Sequence, residues 1–200
     1  MRTFLKNTIL LITAIVFLSF NVSLKTFEFM YPKRKHTIIA LALNADNFGK
    51  FSKEWRGKDY YYYSKGKEGM NCSILYYKLS EEERLALVEI PRITFGTSDI
   101  NPVYPSTYFS TNSNLKDYET NVETWGDLTD DFMFRQSDIT EFQGVKMKRK
   151  HMYAYCMPDK DLFVQVHLSK PDYTSSDSTV MRQILNSLVK KGNKDRKSEK

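Results

Sequence analysis

The chain has 200 residues, 41% of them hydrophobic and 14% aromatic, with a formal net charge of +6. The charge is uneven: residues 1–24 carry +2, residues 190–200 carry +4, and the 22 basic and 22 acidic residues between them cancel. A folded basic face, the usual footprint of nucleic-acid binding, is therefore not expected, and the roughly 165 residues between the two ends suit one domain.

Arg2 and Lys6 precede an uncharged stretch, residues 7–24, whose centre at 9–20 is strongly apolar. A basic start followed by a short apolar run is the pattern of an export signal. Small residues near 19–23 are its cleavage candidates. Left uncleaved, the same stretch could anchor the chain, at the short end of what spans a bilayer. The protein is thus expected to be exported: periplasmic, secreted, or held by its leader on the outer side of a membrane. Residues 25–35 read as a linker, 36–189 as one globular domain, and 190–200 as a basic disordered tail without apolar periodicity.

Along the domain, 36–43 is a short apolar run with strand character. Residues 60–64 and 70–79 flank a Gly-containing loop and read as a hairpin. Ser80 with Glu83 forms a capping box before Leu85, Leu87 and Val88, so a short helix starts there, and Pro91 ends or follows it. Two prolines limit 101–110 to an edge strand. Leu115, Tyr118, Val122 and Trp125 stand at helical spacing. Residues 132–142 read as a strand, turned by Gly144. Residues 145–156 and 162–169 form a second hairpin around a loop at 158–160. Ser175, Ser176 and Asp177 cap a last helix with Val180, Met181, Ile184, Leu185 and Leu188 inward.

In the second hairpin, a three-residue loop pairs Cys156 with Leu162 and Ala154 with Val164. Met152, Ala154 and Cys156 then share an apolar face with Leu162, Val164, Val166 and Leu168, and such faces set register. The other face carries His151, Tyr153, Tyr155, Phe163, Gln165 and His167. It is too aromatic for a plain solvated face, so a helix around Tyr118 and Trp125 is expected to cover it. The resulting fold class is α+β: an antiparallel sheet with helices on both faces, a three-layer α/β/α sandwich.

The order of elements over 102–188, with Phe163-Val-Gln-Val-His-Leu-Ser169 and the closing Ile184-Leu-Asn-Ser-Leu188, resembles the PsbP-like module. The resemblance covers the C-terminal half and implies a non-catalytic binding or assembly module. It carries no residue-level role across, since fold does not fix function.

Candidate chemistry is sparse. No Gly-x-Ser-x-Gly elbow and no Gly-rich phosphate loop is present. The expected register places His151 opposite His167, two imidazoles that could begin a metal site. Zinc wants three or four ligands, however, and His36 is remote in sequence. A tyrosine-rich surface with two titrating histidines is the preferred account, and neither metal nor cofactor is implied. Basic residues at 146–150 read as a solvated strand face. Cys72 and Cys156 both fall in strands, and in an oxidising compartment they could form a disulfide or remain two buried thiols. Trp55, Tyr61 and Tyr63 belong to the densest aromatic patch and could stack on a sugar or a peptide. The favoured function is an exported, non-enzymatic binding or assembly module with a protein or carbohydrate partner in the cell envelope. The alternative is an exported metal-assisted hydrolase built on His151 and His167.

Overall fold

The computed structural model describes residues 23–30, 38–55, 59–89, 119–142 and 144–191. Ten strands and two helices lie among them. They are β1 (Leu24–Met30), β2 (Ile38–Asn44), β3 (Ser52–Trp55), β4 (Asp59–Lys65), β5 (Asn71–Lys78), α1 (Glu81–Arg84, continued by a wider π turn over Leu85–Glu89), β6 (Glu119–Thr129), β7 (Phe132–Phe142), β8 (Val145–Asp159), β9 (Leu162–Pro171), α2 (Ser175–Asn186) and β10 (Val189–Lys191). Seven strands form one antiparallel sheet in the order β3-β4-β5-β9-β8-β7-β6, and β1-β2-β10 form a second, three-stranded one.

This overturns the three-layer α/β/α expectation. The described part of the molecule is mostly strand, and a second sheet does much of what a helical layer was expected to do. Phe27, Phe29, Ile39, Leu41 and Leu43 of the small sheet share one core with Tyr62, Ile74, Tyr76, Met152, Ala154, Val164, Val166 and Leu168 of the large sheet. Met181, Ile184, Leu185 and Leu188, in and just after α2, complete that core. Two tyrosines join the sheets. Tyr76 Oη donates to Phe27 O at 2.7 Å and accepts from Leu41 N at 3.1 Å. Tyr62 Oη donates to Glu28 O at 2.5 Å.

Several boundaries shift. The expected linker is β1 over Leu24–Met30, paired along its length with β2. Phe27 and Phe29 alternate with exposed residues there, and burying both rings outweighs the entropy of ordering the segment. Likewise, the expected tail begins inside β10, where Lys190 pairs with Leu41 and forms an ion pair with Asp131. The expected helix reaching Trp125 is strand β6 from Glu119, in register with β7. Its β-branched Thr120, Val122 and Thr124 and its Gly126 suit a strand better than a helix. The element order behind the PsbP-like resemblance therefore changes at that point. Leu115, Tyr118, His36, Pro91 and the edge strand expected at 101–110 lie outside the described residues.

Other local readings hold. The Ser80–Glu83 capping box is present. The last helix is capped one residue earlier than expected, by Thr174, with Asp177 returning the box. Gly144, at φ +77°, makes the tight turn from β7 into β8. In the β8–β9 hairpin the turn is Lys160-Asp161, and a bulge between Cys156 and Asp159 moves the register two residues from the expected one. Cys156 pairs with Val164 and Ala154 with Val166. A shift of two leaves every side chain on its expected face: Met152, Ala154, Cys156, Leu162, Val164, Val166 and Leu168 are all in the core.

Val166 is fully buried and Gln165, its neighbour, is on the other face and half-buried. Val166→Asp is expected to destabilise the domain by more than about 3 kcal/mol, since it leaves an unpaired charge in the core. Gln165→Asp should cost under about 1 kcal/mol. Thermal melts of the two variants check this, and equal losses would contradict the assignment of faces.

Candidate functional site

Odd-numbered residues of β8 and β9 point away from the two-sheet core. Strand pairing extends that face across the sheet. Tyr61 pairs with Leu75 and Tyr63 with Ser73; Leu75 pairs with Gln165 and Ser73 with His167; Gln165 pairs with Tyr155 and His167 with Tyr153; Tyr153 pairs with Arg135. His151, His167, Tyr153, Tyr155, Phe163, Tyr61 and Tyr63, which the sequence presents as two separate groups, therefore lie on one face. Trp55 does not. It pairs with Tyr60, with ring centroids 4.4 Å apart, on the side that faces the small sheet.

On this histidine face the rings form a ladder. Phe163 and Tyr155 are 5.9 Å apart, Tyr155 and Tyr153 5.8 Å, Tyr153 and His167 4.4 Å, and His167 and His151 5.0 Å. The last three pairs are within 9° of parallel. A second stack, Tyr61 on Tyr63 at 6.4 Å, stands on β4. One end of the face is closed, though not by the helix expected there. Leu87 and Val88 of the π turn pack with Leu79, Tyr153, Tyr155, Met157 and Phe163. Glu83 ties this segment to the sheet by accepting from Tyr77 Oη at 2.6 Å. Farther from that cover, Tyr61, Tyr63, Leu75, Gln165, His167 and Arg135 are each half-buried.

The two histidines meet, but not as directly opposed partners. His151 pairs with Ser169 and His167 with Tyr153, so the imidazoles are diagonal neighbours. His151 Nδ1 and His167 Nε2 are 2.8 Å apart and share one proton, and Tyr153 Oη is 3.4 Å from the same Nδ1. Such a bond points these two nitrogens at each other and not at a shared cation. No group of three His, Cys, Asp or Glu side chains suited to a metal occurs among the described residues.

Of the two alternatives for the cysteines, a disulfide and two buried thiols, the structure has the second. Cys72 and Cys156 are both free and buried. They lie on strands either side of β9, opposite Leu168 and Val164 respectively. Two strand spacings and four residues of offset separate their Cα atoms by about 16 Å, far beyond the roughly 7 Å a disulfide tolerates. Burial pushes the Cys156 thiol up to about 12 and that of Cys72 higher still, so neither is a nucleophile. The basic run at 146–150 is not one solvated face either. Lys150 is buried against Asp138 at 2.8 Å, while Arg149 lies on the histidine face beside His151. Sequence reasoning placed Arg149 on a solvated face and passed over Arg135 and Leu75, whose positions depend on pairing between strands.

Burial pushes His151 down to about 4, helped by the positive charges of Arg149 and Arg135 and opposed by Asp138. His167 is held well below the usual range by burial, then by His151, Arg135 and Arg149. Both rings are neutral at pH 7. A base whose folded value lies below its unfolded value near 6.5 contributes stability that is present above pH 6.5 and lost as pH falls toward the folded value. For His151 the difference is on the order of 3 kcal/mol. The melting temperature should therefore drop between pH 6.5 and 5, before most carboxylates titrate. His151→Gln with His167→Gln should flatten that part of the curve. An equally steep decline in the double variant would contradict the assignment.

No protein-family model matches the chain, and no curated protein matches it in sequence. Two solved structures share its outline at low similarity. One is the Ran-binding protein Mog1p of Saccharomyces cerevisiae, at 7% identity over 84% of this chain and 96% of that one, with a TM-score of 0.37. The other is a single-residue mutant of Mog1, at 7% identity over 82% and 95%, with a TM-score of 0.38. Likeness at this level carries no functional argument.

Proposed function

We propose that this protein is an exported, non-enzymatic binding module whose partner lies against the histidine face. The observation that carries the reading is the continuous patch of half-buried Tyr61, Tyr63, Leu75, Gln165, His167 and Arg135 across the large sheet. Solvated sheet faces are ordinarily polar. Tyr and Arg are the side chains most enriched where proteins bind their partners. The rings beneath are locked by stacking, so little side-chain entropy is lost when a partner arrives. The thiols are buried and protonated, and the histidines are engaged with each other; these groups offer binding rather than covalent chemistry.

Export rests on the leader. The start of β1 at Leu24 supports it, because cleavage within 19–23 removes the leader and leaves every residue of the strand in place. No helix among the described residues is long and apolar enough to cross a membrane.

Site-specific photocrosslinking in living cells tests both parts of the proposal. A photoreactive residue at Tyr63 should capture a discrete partner from the cell envelope. The same residue at exposed Thr179, on α2 and behind the other face, should capture none. Equal capture from both positions, or capture of cytoplasmic proteins from Tyr63, would overturn it.

A further inference from the structure

β1 is poorly protected by its own composition. It runs Leu24-Lys-Thr-Phe-Glu-Phe-Met30, with two charged residues and no proline. Among the described residues it has a strand neighbour on one side only, β2, and pairs with it over all seven residues without a bulge. Leu24 and Met30 are 36% and 40% exposed. An edge strand of this kind presents a row of N–H and C=O groups to any other strand, including its own counterpart on a second copy of the chain. Proteins ordinarily block such edges with lysine, proline, a bulge or a cover.

In β1 a side chain from the other sheet does this. Two hydroxyls show which backbone groups face outward. Phe27 and Leu41 are opposed across β1 and β2, and Tyr76 Oη donates to Phe27 O at 2.7 Å and accepts from Leu41 N at 3.1 Å. Phe27 therefore directs its peptide groups toward β2. In an antiparallel pair that direction alternates along the strand, so the groups of Thr26 and Glu28 point to the open side. Tyr62 Oη takes both groups of Glu28: it donates to Glu28 O at 2.5 Å and accepts from Glu28 N at 3.3 Å. Its ring holds the hydroxyl in place, being buried and packed edge-on against Phe27 with centroids 5.3 Å apart.

We propose that the Tyr62 hydroxyl is an autoinhibitory contact that keeps β1 from pairing with β1 of a second copy. Two such edges overlap over their full length in one antiparallel register, centred on Phe27. That register sets Leu24 opposite Met30, Lys25 opposite Phe29, and Thr26 opposite Glu28. It opposes no like charges and leaves Thr26 and Glu28 to exchange backbone bonds on either side of the centre. Because Glu28 of each copy is already bonded to Tyr62, both of those central pairs are lost. The contact lies on the core side of the large sheet, so the inference is separate from the binding role of the histidine face.

Analytical ultracentrifugation of the protein purified from its own cells tests this. Tyr62→Phe keeps the ring and removes the hydroxyl. It should strengthen self-association by roughly tenfold or more, since each copy regains two backbone groups for a partner strand. Tyr76→Phe removes a hydroxyl from groups turned inward, and should lower the melting temperature without promoting association. Adding Thr26→Pro to Tyr62→Phe takes away an outward N–H, which an edge strand tolerates, and should return association to the wild-type level. Hydrogen exchange on the unaltered protein reads the same contact without a variant. The Glu28 amide should exchange about tenfold more slowly than that of Thr26, the effect of one hydrogen bond. If Tyr62→Phe does not fold, the exchange rates decide. Association of Tyr62→Phe no stronger than that of wild type, equal association of Tyr76→Phe, association that persists with Thr26→Pro, or equal exchange at Glu28 and Thr26 would each overturn the proposal.

Discussion

The alternation of side chains along β8 and β9 divides this molecule in two. Even-numbered residues, from Met152 to Cys156 and from Leu162 to Leu168, enter the core between the sheets. Odd-numbered residues, from His151 to Tyr155 and from Phe163 to His167, build the ring ladder. These strands are central, with neighbours on both sides, so neither face can be exchanged for the other. A one-residue slip would bring Gln165 and His167 into the core and turn Val166 and Leu168 outward. The bulge between Cys156 and Asp159 absorbs the mismatch near the turn and leaves the long register intact.

The small sheet depends on this division. It has three strands, one of them only three residues long, and its apolar face needs a surface to pack against. It is held by Phe27, Phe29, Leu41 and Leu43 packing on the even face, and by the hydroxyls of Tyr62 and Tyr76, which bond to backbone groups of β1 and β2. Those tyrosines contribute ring area to the core and fix the position of β1 and β2 over it. With α2 closing the same core, one face of the large sheet is used up in folding. On the opposite face, Leu79, Leu87 and Val88 pack over Tyr153, Tyr155 and Phe163.

Local patterns made much of this legible. The β4–β5 and β8–β9 hairpins, strand β7 and both helix caps follow from alternation, turn residues and capping boxes within a few positions. Alternation also assigned each hairpin residue to its face even though the register was off by two. What was hidden depends on distant pairing. In β1, Phe27 and Phe29 alternate with exposed residues, yet the segment directly follows the apolar run of residues 7–24 and reads as a linker. β10 is three residues of basic edge strand whose pairing partner, β2, is about 150 positions away in sequence. In β6, Val122 and Trp125 fit a helical period as well as a strand, and pairing with β7 decides between them. The site was split for the same reason. Tyr61 and Tyr63 join His167 only because β5 pairs with β9, a contact that local sequence does not encode. The same strand order keeps Cys72 and Cys156 on opposite sides of β9.

The run Tyr60 to Tyr63, with Tyr76 beside it, provides a direct measure of the two faces. Hydroxyl-radical footprinting of the native protein, resolved residue by residue, should oxidise Tyr61 and Tyr63 and spare buried Tyr62 and Tyr76. Adding envelope fraction from the protein's own cells should then protect Tyr61 and Tyr63. Oxidation of Tyr62 and Tyr76 to the same extent as their neighbours, or no change at Tyr61 and Tyr63 in the presence of that fraction, would contradict a protein that folds on one face of its sheet and binds with the other.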